Sequence, residues 1–339
     1  MTVDPEIPVP PTLYGGIERI AAGLLAELRR RGHAVGLVAR PGSTAPADAT
    51  FGWPGLRSQH RGDTVRNLLA LHRAVQAFRP DVIHSFSRLA YLLPVLGRVP
   101  VVMSYQREPS RRTVGLAARL GGRRLRFTGC SEYICQRGRP AGGTWDAVHN
   151  FADTAAVRFA PAVPADAPLV FLSRVESIKG PDTAIRVAQA AGRRLVIAGN
   201  HGGTPAEAEF WRAAVEPEVG RGGVEYVGPV DDDGKSELLG RATALLVPIR
   251  WDEPFGIVFA EALAAGTPVL SCPRGAVPEI VEPGVTGFLS DDPAELTAAV
   301  ARVGGLDRAA CRRAAEGRFS AAAVAGQYER VYQSVRGAT

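Results

Sequence analysis

The chain has 339 residues, 46% of them hydrophobic, which is enough for the cores of two domains of ordinary size. It has no apolar run of about 18 residues, and its first residues, MTVDPEIPVPP, lack the basic start and apolar stretch of a signal peptide. A transmembrane helix and a secretory leader are therefore not predicted. The four cysteines at 130, 135, 272 and 311 form no metal-binding spacing, which favours free thiols in a cytosolic protein.

The formal net charge of +6 is unevenly distributed along the chain. Residues 1–160 hold 22 Arg and 11 acidic residues, a net of +11, whereas the remainder holds 18 basic and 23 acidic residues. This surplus favours an anionic acceptor or an anionic membrane surface as a partner of the N-terminal half, and a well-solvated basic surface explains it equally. Lys179 and Lys235 are the only lysines, so arginine is the default cation of this chain.

The N-terminal region begins with a proline-rich stretch that is followed by a helix. Asp4 and the prolines after it are incompatible with a central strand. No central strand is therefore predicted before the first helix. A helix is predicted over 12–31, and Gly15 and Gly16 at its start let backbone amides approach an anion closely. A strand is predicted over 34–39.

His84 is a candidate ligand residue in the middle of this domain. It ends a predicted strand, and the carboxyl ends of parallel strands commonly face a ligand site. A histidine with satisfied structural partners is the alternative. Residues 40–62, rich in Pro and Gly, are predicted to be a loop. The other predicted elements are a helix over 63–78 and strands over 80–84, 101–104, 125–129 and 146–149.

Residues 107–126 form a basic segment, with seven arginines and with leucines between them. Such a segment is suited to an anionic lipid or glycan, and a solvated helix and turn would explain it equally. The stretch over 155–167 is rich in Ala and Pro and is predicted to be a linker. It separates a domain over 1–155 from a second domain over 165–320, and a C-terminal helix is predicted over 321–337.

Two cations follow the first strand of the second domain. Arg174 leaves the end of a strand predicted over 169–173, and Lys179 precedes a predicted helix. This placement suits a diphosphate, and a lysine in an arginine-rich chain indicates a requirement for a compact ammonium. Further along, Val230 follows another predicted strand. The acidic run over 231–233 is expected to cap a helix and not to bind a metal.

The stretch over 250–289 has the pattern strand, loop, helix, strand. A helix is predicted over 257–265, and its first amides, those of Gly256, Ile257 and Val258, would point into the loop and suit a diphosphate. Glu253 precedes these amides. Glu261 lies one turn into the helix, about 6 Å further along. Carboxylates only accept hydrogen bonds, so the hydroxyls of a sugar and a ribose are their natural partners.

The segment EPFGIVFAEALAAGTPV resembles the donor-site signature of the retaining glycosyltransferases called family 4, and PPTLYGGIER resembles the first loop of the same family. The Arg…Lys-Gly element and Asn150-Phe-Ala-Asp153 add to the resemblance. It implies two Rossmann-like α/β domains that face each other across a cleft, the glycosyltransferase-B arrangement, with a C-terminal helix that crosses back to the N-terminal domain. It further implies that Val230 lies along the base and that Gly15 and Gly16 face the donor phosphates. Phe86 departs from the pattern, because many relatives carry a histidine there. In this family a central strand precedes the first loop, so the resemblance implies that the N-terminal domain here lacks its first strand or that the protein begins upstream of residue 1.

The resemblance implies a metal-independent transfer of a sugar from a UDP- or GDP-sugar to a glycan, lipid or small-molecule acceptor, with retention and without a cofactor. Glu253, Arg174 and Lys179 would be catalytic, and Glu261 would hold the ribose. A nucleotide-sugar epimerase on the same fold and an inactive nucleotide-sugar-binding protein are the alternatives. We expect a cytoplasmic protein, with a peripheral contact to the inner membrane face through the basic domain, and no nucleic-acid partner.

Overall fold

The computed structural model describes residues 1–12 and 15–337, and the chain divides into two compact units. Unit 1 comprises Met1–Asn150 and the C-terminal residues from Ala321, and unit 2 comprises Phe151–Ser320. Both units are built from parallel strands and helices, which confirms the α/β class expected from the sequence. Within the described ranges, no helix combines the length and the apolar character that a membrane crossing needs.

In chain order the elements of unit 1 are α1 (Gly16–Arg30), β1 (Gly36–Ala39), β2 (Ala49–Gly52), α2 (Arg61–Phe78), β3 (Ile83–Ser85), β4 (Val101–Tyr105), α3 (Arg111–Gly121), β5 (Leu125–Gly129), α4 (Glu132–Gly138), β6 (Thr144–Ala147) and α12 (Ala321–Arg336). Its strands form a parallel sheet of four in the order β3-β4-β5-β6 and a parallel pair, β1-β2.

Strand β2 corrects the prediction of a loop over 40–62. It has only four residues, and their burial alternates between half-buried and exposed, so no continuous apolar run marks it in the sequence. It forms because its backbone pairs in parallel with the fully buried β1. The tertiary partner supplies what the local pattern lacks.

The N-terminal residues lie between β1 and β3. Thr2 forms isolated parallel bridges to Val38 and to Ser85. The amide of Thr2 donates to the carbonyl of His84 at 2.9 Å, and that of Val3 donates to Val38 at 3.0 Å. Pairing at this position is thus made by isolated bridges, and the expected lack of a complete first strand stays a prediction.

Helix α12 packs on unit 1 by polar contacts as well as apolar burial. On this helix Tyr332 bonds to His84 and Tyr328 bonds to Ser104. Tyr328 is buried and Tyr332 is half-buried. On the surface, Glu329 accepts from Arg31 at 2.9 Å. The last helix of the chain is therefore part of the N-terminal unit.

In chain order the elements of unit 2 are β7 (Leu169–Leu172), α5 (Pro181–Ala190), β8 (Leu195–Ala198), α6 (Pro205–Phe210), β9 (Val224–Gly228), α7 (Asp232–Arg241), β10 (Ala244–Val247), α8 (Ile257–Ala264), β11 (Val269–Ser271), α9 (Val277–Ile280), β12 (Gly287–Leu289), α10 (Pro293–Val303) and α11 (Arg308–Phe319). Its strands form one parallel sheet of six in the order β12-β11-β10-β7-β8-β9. Strands β7, β8 and β10 are buried along their whole length, as expected for short apolar runs covered on both faces.

The strand order of unit 2 places the predicted donor-site loops side by side. β10 pairs in parallel with β7 on one side and with β11 on the other. The loops that leave these three strands therefore emerge from the same edge of the sheet. This carboxyl edge is where parallel α/β sheets bind their ligands.

Arg308 is a buried cation that ties the elements of unit 2 together. Its guanidinium donates to the carbonyls of Ala160 at 2.7 Å, Ala242 at 2.9 Å and Gly240 at 3.1 Å, and to the hydroxyl of Thr267 at 2.9 Å. We expect Arg308→Met to lower the free energy of unfolding by about 3 kcal/mol or more, because it leaves buried acceptors without donors. Urea denaturation followed by circular dichroism measures this loss.

Arg313→Met is the matched control on the same helix. Arg313 pairs with Asp307 at 2.9 Å, and its side chain is 67% exposed, so its removal should change stability by less than about 1 kcal/mol. Equal effects of the two substitutions would contradict a structural role for the buried guanidinium.

Candidate active site

Lys179 is placed by a tight turn at the carboxyl end of β7. It ends a short 3₁₀ turn, Ser177–Lys179, and Gly180 follows with a φ of 73°, in the left-handed region. A Cβ on Gly180 would lie 2.1 Å from the carbonyl oxygen of Pro248, so only glycine fits here. This close approach brings the turn against the segment that follows β10.

Arg250 fastens the same two segments by its backbone and its side chain. Its amide donates to the carbonyl of Ile178 at 2.8 Å. Its guanidinium donates to Asp182 at 2.5 Å, to Thr183 at 2.8 Å and to the carbonyl of Ser177 at 3.1 Å. The loop after β10 is therefore held against the turn that carries Lys179.

These constraints bring Lys179, Glu253 and Trp251 into contact. The Lys179 ammonium donates to Oε2 of Glu253 at 2.5 Å, and the indole N–H of Trp251 donates to the same oxygen at 3.0 Å. The ammonium also lies over the Trp251 ring, 4.7 Å from its centroid. Oε2 thus has one charged and one neutral donor.

The pair of Lys179 and Glu253 is largely shielded from solvent, with side-chain exposures of 11% and 13%. Its charges cancel locally. A carboxylate alone at this edge of the sheet would repel a phosphate, whereas a neutral ion pair does not. A diphosphate near Lys179 would therefore compete with Glu253 for one hydrogen bond from the ammonium. It would not be repelled by a net negative charge on these two residues.

The backbone of Glu253 is held by the loop that follows β11. The amide of Ala276 donates to the Glu253 carbonyl at 2.8 Å. Gly275 has a φ of 57°, and a Cβ there would lie 2.3 Å from the same carbonyl oxygen. The loops after β10 and β11 are thus packed backbone to backbone, which fixes where the Glu253 side chain begins.

Helix α8 starts four residues after Glu253. Gly256 is its N-cap with a φ of 87°, and the amide of Phe259 donates to the Gly256 carbonyl at 3.0 Å. The amides of Gly256, Ile257 and Val258 precede this first helical bond, where the positive end of the helix dipole lies. The structure therefore keeps these three predicted residues beside Glu253 at the start of one helix.

Glu261 has a lysine partner of its own. Lys235, on α7, donates to Oε1 of Glu261 at 2.5 Å and to Asp232 at 3.1 Å. Burial acts to lower the pKa of Lys235, but its interactions with Glu261 and Asp232 outweigh burial and raise this pKa above 10.5. The two lysines of the chain thus pair with the two predicted donor-site glutamates.

Arg174 and Val230 lie on the loops at the same edge of the sheet. Arg174 follows β7, and its guanidinium donates to Glu176 at 2.7 Å, with 52% of its side chain exposed. Val230 lies between β9 and α7 and is half-buried. Asp231 accepts from the amide of Gly234 at 2.8 Å and caps α7, which confirms the expected cap.

The predicted site residues of unit 1 have local roles of their own. Gly15 is the N-cap of α1 with a φ of 154°, and Gly16 is the first residue of this helix. Leu13 and Tyr14, which belong to the same first-loop motif, lie outside the described residues. The proximity of these glycines to a donor stays a prediction.

His84 is buried, and both of its ring nitrogens have partners. Nδ1 is 2.7 Å from the hydroxyl of Tyr332, and Nε2 is 2.7 Å from that of Ser104. Burial lowers the pKa of His84 well below 6.5, so the ring is neutral at physiological pH. A cavity of about 590 Å³ borders it within unit 1. Its assignment as a substrate-binding residue stays a prediction, and its contacts are those of a structural histidine.

The sequence interpretation missed Trp251, Arg250 and Lys235. For Lys235 a signal existed, because it is one of only two lysines in the sequence, and the same rarity had singled out Lys179. For Trp251 and Arg250 the only signal was their position just before Glu253. Their partners lie far along the chain, and no local spacing encodes such contacts.

Comparison with known proteins identifies relatives of both units. A family model described as "Glycosyl transferases group 1" matches residues 167–304, and one described as "Glycosyltransferase Family 4" matches residues 14–164. D-inositol 3-phosphate glycosyltransferases from Mycobacterium avium and Acidothermus cellulolyticus are 35% identical over 140 residues and 30% identical over 174 residues. These matches cover 40% and 48% of this chain but only 33% and 39% of those proteins, so the chain spans little more than a third of their length.

Solved structures match nearly the whole chain. AviGT4, a glycosyltransferase involved in avilamycin A biosynthesis, is 28% identical with a TM-score of 0.69, over 98% of this chain and 94% of that one. A sucrose-phosphate synthase from Thermosynechococcus elongatus, at 20% identity, has a TM-score of 0.74 over 96% and 94% of the two chains. Anabaena HepE with UDP and glucose, at 17% identity, has a TM-score of 0.71 over 98% of both. The last two likenesses show the fold alone.

We expect Lys235→Met to destabilise unit 2, because it would leave the Glu261 carboxylate, at 13% side-chain exposure, without its lysine partner. The cost should be about 2–4 kcal/mol in urea denaturation near pH 7. The pKa of Lys235 is raised by folding, so the ion pair contributes fully below pH 10.5 and its contribution is lost as pH rises through the folded value. The difference between wild type and variant should therefore shrink at strongly alkaline pH.

Arg241→Met serves as the control on the same helix. Arg241 pairs with Glu237 across one turn at 2.7 Å, with side-chain exposures of 75% and 62%, so its loss should have little effect at any pH. A stability difference for Lys235→Met that stays constant with pH would contradict the role of its charge.

Proposed function

The chain belongs to the family 4 glycosyltransferases of group 1, and on this premise we propose that it transfers a sugar from a UDP- or GDP-sugar with retention at the anomeric carbon. The observation that carries the proposal is the pairing of Lys179 with Glu253 directly before the N-terminus of α8. It combines a cation and free amides for a diphosphate with a carboxylate for sugar hydroxyls. Anabaena HepE, which shares this fold, has been solved with UDP and glucose and with UDP-glucose, and we propose a donor of that class for this chain.

The donor would lie along the carboxyl edge of the unit 2 sheet. The diphosphate would be bound by Lys179, by Arg174 and by the first amides of α8. Glu253 would accept from the donor-sugar hydroxyls, Glu261 from the ribose hydroxyls, and Val230 would lie along the base. This order follows from the chain, since Glu253 precedes the amides and Glu261 lies one turn beyond them.

The reaction requires stabilisation of the leaving group. The bond from the anomeric carbon to the phosphate oxygen breaks, the bond to the acceptor oxygen forms on the same face, and the acceptor proton passes to the leaving phosphate. Negative charge grows on the diphosphate, where Lys179, Arg174 and the helix amides can stabilise it without a metal. Cys272, close to this edge, is a poor nucleophile, because burial raises its pKa to about 11.

The proposed acceptor side is unit 1, whose basic surface includes helix α3. Leu116 and Leu120 on this helix are 54% and 50% exposed, one turn apart. Arg111, Arg112 and Arg119 on the same helix are also exposed. Exposed leucines flanked by arginines suit the surface of an anionic membrane. We therefore propose that the protein lies at the cytoplasmic face of a membrane, and four cysteines outside any disulfide fit a reducing compartment.

The test of the proposed function separates the two glutamates. Glu261→Gln should weaken the binding of free nucleotide and of whole donor alike, by about 10-fold or more, because it removes a charged acceptor from the ribose. Glu253→Gln should lower kcat while nucleotide affinity is retained, because it also frees Lys179 for the phosphates. Calorimetry with UDP and GDP and release of nucleoside diphosphate from UDP-glucose and GDP-mannose measure these effects.

Three further results bear on the same test. Lys179→Ala should weaken nucleotide binding, and addition of EDTA should leave turnover unchanged. Tight nucleotide binding without turnover for any acceptor would indicate the inactive binding protein, and interconversion of UDP-sugars would indicate the epimerase. The opposite pattern for the two glutamates would reverse the proposed orientation of the donor.

Membrane contact is tested by sedimentation with vesicles. Wild-type protein should bind phosphatidylglycerol vesicles at low salt and lose this binding in phosphatidylcholine, because arginines attract anionic headgroups. The double variant Leu116→Glu, Leu120→Glu should bind at least 10-fold less. Leu69→Glu, at a leucine that is 49% exposed on α2, is the control and should bind like wild type. Equal loss in both variants would exclude α3 as the contact.

A further inference from the structure

Trp251 makes two contacts with residues of the proposed donor site, and the inference below rests on that proposed function. Its indole N–H donates to Oε2 of Glu253 at 3.0 Å. Its ring lies under the Lys179 ammonium at 4.7 Å. One side chain thus touches both members of the ion pair, once as a hydrogen-bond donor and once as a π face.

Lys179 faces two demands during turnover. In the structure it donates to Glu253. A bound diphosphate carries more negative charge than a carboxylate, and this charge grows on the leaving group as the glycosyl bond breaks. The ammonium is therefore drawn toward the diphosphate just when Glu253 must be correctly oriented. At that moment the hydrogen bond from Lys179 to Glu253 weakens.

The indole N–H is a donor that the diphosphate cannot easily recruit. The indole carries no formal charge, and hydrogen bonds fix the loop on both sides of Trp251. On one side Arg250 bonds to Asp182 at 2.5 Å, and on the other the Glu253 carbonyl accepts from Ala276 at 2.8 Å. The ring is only half-buried, so the loop and not the packing of a core sets its position.

We propose that Trp251 is a positioning residue that keeps the Glu253 carboxylate turned toward the donor sugar while Lys179 shifts its hydrogen bond to the leaving diphosphate. Oε2 stays with the indole, and Oε1 serves the sugar hydroxyl. The ring beneath the ammonium keeps Lys179 near both partners, so that the shift is short. Trp251 acts through Glu253 and forms no bond to the reacting atoms.

Trp251→Phe tests this role, because it keeps a ring beneath Lys179 and removes only the N–H donor. We expect kcat for release of nucleoside diphosphate from UDP-glucose or GDP-mannose to fall about 10-fold, the effect of one hydrogen bond to a charged group. Calorimetric affinity for UDP and GDP should stay within about twofold of wild type, because Lys179 and the helix amides remain.

Trp211→Phe is the matched control in the same unit. Trp211 is also half-buried, and it packs against His201 and Tyr226 with ring centroids at 4.9 and 4.6 Å. It should leave kcat and nucleotide affinity as in wild type. Thermal unfolding of both variants shows whether either substitution acts through stability alone.

A double-mutant cycle separates positioning from a general structural effect. In the Glu253→Gln background, Trp251→Phe should lower kcat by less than twofold further, because its target carboxylate is already gone. Independent, multiplicative losses would overturn the proposal, and so would an unchanged kcat in Trp251→Phe. If the wild-type protein neither bound UDP or GDP nor released nucleoside diphosphate from a nucleotide sugar, the proposed function itself would be overturned.

Discussion

The ion pair between Lys179 and Glu253 is the contact on which the proposed site depends. Both side chains are nearly shielded from water, and the removal of two charges from water costs several kcal/mol each unless they find partners. The pair meets this cost with a short contact, the Trp251 donor and the Trp251 ring. It is therefore held together as a unit and still carries a cation that a more negative ligand can take over.

The same solution occurs a second time, at Glu261 and Lys235. In a chain with 40 basic residues, the two lysines are found at these two carboxylates. Arginine offers a planar fork that favours two parallel bonds to one carboxylate, whereas lysine offers a compact ammonium with three donors. A single contact to one carboxylate oxygen suits a site in which the other oxygen serves a hydroxyl. Under the proposed function, a lysine at each glutamate leaves the other carboxylate oxygen for a hydroxyl of the donor.

How much of this could be predicted from the sequence depends on the range of the interactions. Strands β7 and β10 and helix α8 were predicted because continuous apolar runs and the glycine before the helix are local signals. Strand β2 was missed because its pairing with β1 comes from tertiary structure. The loop of Glu253 was recognised by its sequence, but its contacts with Lys179 and with Gly275 were not, since close backbone approach has no sequence spacing. The sequence shows which charged residues stand near the loops of unit 2, but it does not show which of them pair with each other.

His84 shows the limit of an argument from strand ends. It ends the predicted strand over 80–84 and lies one residue before the end of β3, near the place expected of a ligand residue. Yet the hydroxyls of Ser104 and Tyr332 occupy both ring nitrogens, and burial keeps the ring neutral. Tyr332 belongs to the last helix of the chain, so the histidine helps to attach α12 to unit 1. While these bonds persist, neither ring nitrogen is available to another partner, so a substrate-binding role for His84, which stays a prediction, would require one of them to open.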